Sequence, residues 1–355
     1  MGSLAEEINL GEYDEVVTLK TFQTVISPEP IMERYGSDFR TIRFEKPDKP
    51  FILTIFDDGT ETDSFGVRLQ GTEYYFYAIA QPLAGDISLK DIEEFSWPEP
   101  FDMGNTRDLR EKTFNLYKNK DYALLVYFLA LGPFEDVLWI RGWDGFLFNL
   151  YIYLVLAEAM MEKITDYTIY MWGQMLDEVG DLVQVVYQGD DLGIQERTII
   201  SSDIYRKLIM KYTKKYYDSI QSKTDVKILH YSSGSCYDLL PDLIDCRVKI
   251  LNPIQTTATN MDPKRLKSEF GNDLAFWGGL DVQQILPPFA SKSELEKEIT
   301  RLFKIFGGNR GYVFGPLHNV QPKVPAENIV TMLETAHQYT RREKLRFIAE
   351  VSLPV

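Results

Sequence analysis

Cysteine is nearly absent from this chain of 355 residues: Cys236 and Cys246 are the whole complement. Two thiols exclude a disulfide framework and a four-cysteine zinc site, and they suit a reducing compartment. Histidine is as scarce, with only His230, His318 and His337. Long hydrophobic runs are missing too. The longest, near Leu124–Leu131 and Tyr151–Met161, are too short or too interrupted to span a bilayer. Positive charge is in deficit, with 38 Lys and Arg against 53 Asp and Glu and a formal charge of −15. That balance argues against nucleic acid, whose binders carry a basic footprint, and against an anionic membrane surface. Met1–Asp14 is acidic and mixed, not the charged-then-apolar pattern of a secretion signal. There is no nucleophile elbow, P-loop, His-Glu-x-x-His or Cys-x-x-Cys, and no Gly-x-Gly-x-x-Gly follows a strand. With 45% hydrophobic and 13% aromatic residues the chain can still bury a large core. The expectation is a soluble, acidic, cytoplasmic globular protein.

What is present is best read from Val226–Gln255. Val226–Tyr231 is an apolar strand, Ser232–Ser235 a polar glycine loop, Cys236–Asp245 an amphipathic helix, and Val248–Leu251 a second apolar strand. Strand, helix and strand in that order make a parallel βαβ unit. Further apolar strands are expected at 122–130, 182–188, 274–278 and 311–315, with helices at 201–221, 263–270, 293–306 and 325–342. Leu147–Met175 reads as mainly helical. Strands apolar on both faces, each followed by a helix, indicate a parallel sheet covered on both sides. The best fit is a (β/α)8 TIM barrel, with an open doubly wound sheet as the alternative. The first hundred residues read differently. Phe51–Phe56 closed by Asp57-Asp58-Gly59, and Thr72–Ala80, suggest an N-terminal cap of hairpins. The division is therefore 1–105 for the cap and first barrel elements and 106–355 for the barrel, in one structural domain.

Barrels place their chemistry at the carboxyl ends of the strands. Those ends carry Asp190, Asp191 and Gln195; Ser233; Asn252 and Gln255; Trp277 and Asp281; and His318 in the Gly315–Asn319 loop, with Arg141 after the earliest of these strands. The set is rich in carboxylate and amide and has one imidazole. Each residue also has a structural reading: helix caps for the aspartates, a turn for Asn252 before Pro253, barrel packing for Trp277. His230 lies inside an apolar strand as a core histidine, and Cys236 and Cys246 read as structural thiols.

Several segments, taken together, resemble the uroporphyrinogen decarboxylase superfamily and its corrinoid-dependent methyltransferase branch. They are Val186–Gln195, Leu240–Asp245 with Ile250–Gln255, Met261–Gly271, Phe276–Gln283 and His318–Ile329. Weaker likeness extends to Asp63–Val67 and Phe95–Pro98, so the resemblance covers most of the chain. It implies a (β/α)8 barrel that moves a methyl group between a small methylated compound, methoxylated or methylamine-type, and the cobalt of a separate corrinoid protein. Relatives that use zinc hold it through His-x-Cys-Gly and a later ligand. Aligned on Gly234, this chain has Tyr231 at the histidine position and Ser233 at the cysteine position, neither an ordinary zinc ligand. His230 is one residue out of register and would face the other side of the strand. His318 alone remains in the later-ligand region. The opening strand usual in such chains is not evident before Phe51. On this reading Asp190, Asp191, Tyr231 and His318 are the catalytic candidates, His318 being also the candidate metal ligand. Arg141, Gln195, Ser233, Asn252, Gln255, Trp277 and Asp281 are the candidate substrate contacts. The implied partners are a corrinoid protein and a small methyl donor, and a homodimer is compatible with the resemblance. The runner-up readings are a metal-independent decarboxylase of a porphyrinogen-like polycarboxylate and a barrel without catalysis.

Overall fold

The computed structural model describes residues 17–19, 24–25, 27–44, 54–72, 75–98, 106–118, 122–127, 131–309, 311–321 and 323–343. Seven parallel strands form its centre: β1 (Phe39–Ile42), β2 (Ala123–Val126), β3 (Val185–Gly189), β4 (Lys227–Tyr231), β5 (Val248–Asn252), β6 (Ala275–Leu280) and β7 (Tyr312–Pro316). They pair in that order across the sheet. Alternation along each strand sends one set of side chains inward and the other out toward the helices. Leu125, Val185, Leu229, Ile250 and Trp277 make one inner cluster, joined by Phe39, Tyr127, Tyr187, Ala275 and Val313. All seven strands contribute to it. The Phe39 ring on β1 meets the Trp277 ring on β6 at 5.0 Å between centroids, so the sheet curls back upon itself. The architecture is a curled parallel α/β sheet. Eight strands and full closure are not seen among the described residues.

The opening strand is a correction to the sequence reading. Phe39-Arg-Thr-Ile42 pairs with β2 although it is short and half polar. Arg40 conceals it. Its guanidinium is buried, paired with Glu29 at 2.6 Å and laid over the Tyr122 ring at 3.8 Å. Of the expected strand at 51–56, residues 51–53 lie outside the described residues, and Ile55 makes an isolated bridge with Glu61. Three antiparallel strands, Glu61–Thr62, Arg68–Gly71 and Phe76–Ala80, form a small separate sheet.

The long helical stretch is two helices, Trp143–Ile152 and Leu154–Val179, separated at Tyr153. Helix Pro263–Phe270 has the expected bounds, and helices Lys292–Phe306 and Ala326–Glu343 lie within a residue of theirs. Among the described residues no helix is long and apolar enough to cross a membrane.

Candidate active site at the carboxyl ends of the strands

Asp190 and Asp191 follow β3 directly and diverge in role. Asp190 is 2% exposed, and its Oδ1 accepts the backbone N–H of Glu135 at 2.8 Å. It thus serves the first turn of helix Pro133–Arg141, whose amino end lacks internal hydrogen-bond partners. Gly132 permits this approach, because a Cβ there would lie 2.2 Å from the Asp190 carboxyl carbon. Burial pushes the Asp190 carboxyl up to about 7, against the lowering pull of the Glu135 and Phe134 N–H groups. Asp191 turns instead toward β4. Its Oδ1 accepts both the N–H and the Oγ–H of Ser233, each at 2.7 Å, and its own N–H donates to Glu135 Oε2 at 3.1 Å.

Glu135, unmarked in the sequence reading, is therefore part of the centre. Burial, then the Asp191 charge, raises its carboxyl well above the usual range. Burial raises Asp191 as well, opposed by the Ser233 hydrogen bonds and by His318. Asp136, next on the same helix turn, is raised by burial and by Glu135, Asp190 and Asp63. Carboxyls raised in this way keep a proton to higher pH than exposed acids do and can release it to a leaving group. Tyr231 is a neutral hydroxyl, its ionisation pushed far up by burial and by the Asp191 and Glu135 charges. Burial lowers His318, opposed by Asp191, so the imidazole is neutral. Its ring meets the edge of Tyr75 at 6.0 Å and 89°.

An aromatic wall stands beside these acids. Tyr127 and Tyr187 stack at 4.8 Å and 9°, and Tyr187 leans on Tyr231 at 6.1 Å and 46°. Tyr187 Oη donates to Asn252 Oδ1 at 2.9 Å. Strict alternation from Val185 would have turned Tyr187 inward, and the strand-end rule applied to β2 would have reached Glu135.

The other candidates are spent on the framework. Gln255 Oε1 accepts the Gly234 N–H at 2.7 Å, and its Nε2 donates to Gln195 Oε1 at 2.8 Å. Gln195 Nε2 in turn donates to the Thr257 carbonyl at 2.6 Å. These two amides clasp the loops after β3, β4 and β5. Gly234 has φ +72°, and a Cβ there would meet the Gly193 carbonyl carbon at 2.6 Å. Asp281 accepts the N–H groups of Gln283 and Gln284 at 2.7 and 2.6 Å, a turn cap. Arg141 is buried, donating to Asn149 Oδ1 at 3.0 Å and the Leu83 carbonyl at 2.6 Å. Trp277 packs in the inner cluster. So the structure brings Asp190, Asp191 and Tyr231 together around Glu135, joins Ser233 and His318 to them through Asp191, and holds Arg141 and Asp281 to structural tasks.

His230 faces away from this centre, as its register requires. Its Nδ1 lies 2.6 Å from Tyr217 Oη, and burial lowers the imidazole to about 3. Cys236 and Cys246 are buried thiols, each pushed up to about 12. No group of three or more His, Cys, Asp or Glu side chains among the described residues is arranged to hold a metal ion. Ser233 Oγ is committed to Asp191, and Tyr231 offers a neutral phenol. The donor set does not fit a zinc ion of the His-x-Cys type.

A curled parallel sheet with a buried acid, tyrosine and imidazole cluster at its carboxyl edge places the chain among barrel-like α/β proteins. The profile of the family described as uroporphyrinogen decarboxylase (URO-D) matches residues 67–339, and the chain belongs to that family. The uroporphyrinogen decarboxylase of Geotalea daltonii is 23% identical over 205 residues, 57% of this chain and 55% of that protein. That of Thermus thermophilus is 22% identical over 213 residues, 60% and 56% of the two chains. The chain thus spans about half the length of the curated relatives it matches. Among solved structures, a methyltransferase from Methanosarcina mazei shares the fold with TM-score 0.61 and 16% identity, covering 87% of this chain and 82% of that one.

Proposed function

We propose that this protein is a methyltransferase that takes a methyl group from a small methylated compound and passes it to the cobalt of a separate corrinoid protein. The observation that carries the reading is the acid pair Glu135–Asp191 beside the neutral Tyr231, at the carboxyl ends of β3 and β4. When a carbon–oxygen or carbon–nitrogen bond of the donor breaks, its heteroatom needs a proton. A carboxyl group raised toward neutrality is matched to supply one. Tyr231 donates a hydrogen bond to the same heteroatom, and His318, neutral and close to Asp191, restores the proton. Asn252 and Tyr187 shape the wall, and Ser233 holds Asp191 in place. The reduced corrinoid, when docked, supplies the nucleophile for the methyl carbon. An eight-strand closure of the barrel belongs to the same reading. A polycarboxylate substrate fits poorly, because the candidate residues at the strand ends are mainly Asp, Asn, Gln and Ser, and Arg141 is committed to Asn149 and the Leu83 carbonyl.

The test is incubation with a cob(I)alamin-loaded carrier and a panel of methoxylated and methylamine donors, followed by the methylcobalamin absorbance. Formation with one donor class is expected. Glu135→Gln should then slow the transfer by about 10²–10⁴-fold, the usual worth of a positioned acid. Absence of methylcobalamin with every donor, or release of carbon dioxide from a porphyrinogen, would overturn the proposal.

A further inference from the structure

At the opposite edge of the sheet, where β4 and β5 begin, the backbone departs from regularity twice within three residues. Arg247, between helix Leu240–Asp245 and β5, has φ +72°. A residue with a β-carbon is strained in that left-handed region, where glycine would not be. Lys249 is the second departure. Val248 pairs with Ile228 and Ile250 with Leu229, so the register slips and Lys249 has no partner on β4. Such an extra residue is rare between parallel strands, and it re-aims a side chain. Both departures bring a cation to the same place. Arg247 and Lys249 line a cavity of about 430 Å³ with Lys227, the first residue of β4, and Lys214 from helix Met210–Lys223. Asp245 is the one carboxylate in the lining. Asp218 stands beside it and is shared between Arg247 and, at 3.5 Å, Lys214. Lys227 and Lys249 form no ion pair among the described residues. Four cations thus face two carboxylates, in a chain whose formal charge is −15.

Like charges gathered on neighbouring strand ends repel one another, and an anion placed among them removes that cost. We infer that this cavity binds a diphosphate group, either free or as the tail of a nucleotide. Lysine ammonium groups act on phosphate oxygens as point charges, and three of the four cations here are lysines. A planar carboxylate ligand is matched instead by a free arginine fork, and the only arginine in the lining is already engaged by Asp218. The volume falls within the range of small-molecule sites and leaves room for a group attached to the diphosphate. The cavity stands roughly 15 Å from the acids at the carboxyl edge, the length of a five-residue strand. It shares no residue with them, so binding here needs nothing from the proposed function. A ligand that binds only the folded chain also stabilises it.

Titration calorimetry of the whole chain with pyrophosphate, ADP, inorganic phosphate and citrate, at neutral pH and without divalent metal, decides the matter. Pyrophosphate or ADP should bind roughly tenfold more tightly than phosphate or citrate, and the tighter of the two identifies the source of the group. Lys227→Gln and Lys249→Gln should each weaken that binding roughly tenfold, the worth of one charge-assisted contact. Asp245→Asn, which removes a negative charge from the lining, should tighten it. Lys292→Gln, at the start of helix Lys292–Phe306, should leave it unchanged. Neither lining-lysine variant should lower the thermal midpoint of the free protein, since each takes one charge from a crowded set. Lost binding is thereby told apart from a lost fold. Absence of heat with both pyrophosphate and ADP at millimolar concentration would overturn the inference. So would citrate as the tightest ligand, undiminished binding in both lining-lysine variants, or an equal loss in Lys292→Gln.

Discussion

Asp190 and Asp191 are adjacent and chemically alike, and the fold gives them different work. Asp190 is turned to the amino end of helix Pro133–Arg141, where the Glu135 N–H fixes its carboxylate. Asp191 is turned to the β4 loop, where Ser233 does the same. The raised ionisation of Asp190 makes a prediction about stability. Its carboxyl is neutral in the folded protein up to about pH 7, whereas in the unfolded chain it ionises near 3.8. The folded state thus holds the extra proton between those values, and stability from this group declines as pH climbs from about 4 to about 7. Asp190→Asn keeps an oxygen for the Glu135 N–H and cannot ionise. Between pH 5 and pH 8 the wild type should lose roughly 1–3 kcal/mol relative to this variant, read from urea midpoints. Parallel midpoints across that range would show the carboxyl to be ionised in the fold.

At the scale of elements, the helices were the more legible part because their ends are written in local chemistry. Ser291 and Glu294 form a capping box at the start of helix Lys292–Phe306: Ser291 Oγ accepts the Glu294 N–H, and the Glu294 carboxylate accepts the Ser291 N–H at 2.8 Å. Ser291→Ala should cost about 1 kcal/mol of unfolding free energy, with the helix length unchanged. A chemical-denaturation midpoint equal to wild type would mean that the cap contributes nothing. Strands were legible where both faces are apolar, as at Ile228–Leu229 and Ile250–Leu251. The strand Phe39–Ile42 was not, because its short run contains Arg40, and only burial against Glu29 and Tyr122 makes an arginine tolerable there. Glu135 escaped notice for a related reason. It stands on the first turn of a helix, where a glutamate reads as an ordinary complement to the helix dipole.

For the whole molecule, the feature that separates this chain from the zinc-binding pattern is the replacement of two ligand positions by Tyr231 and Ser233. The tertiary structure supplies no compensating histidine, since His230 is locked behind the sheet by Tyr217. Protein purified from zinc-supplemented medium should contain well below one zinc per chain, and chelation should leave its thermal midpoint unmoved. Stoichiometric zinc, or a midpoint that falls on chelation, would show that residues beyond this cluster complete a metal site.

The sequence by itself determined the class of fold and the edge of the sheet where the candidate residues gather. Those properties follow from the period of hydrophobic residues and from polar residues at strand ends, both of them local in the chain. It also determined the formal charge of −15. Only the tertiary structure decided which polar residues meet. It joined Glu135 to Asp191 across 56 positions, stacked Tyr127 on Tyr187, and withdrew Arg141 and Asp281 into the framework. The orientation and ionisation of a side chain depend on distant neighbours and on burial, and neither is encoded in the residues beside it.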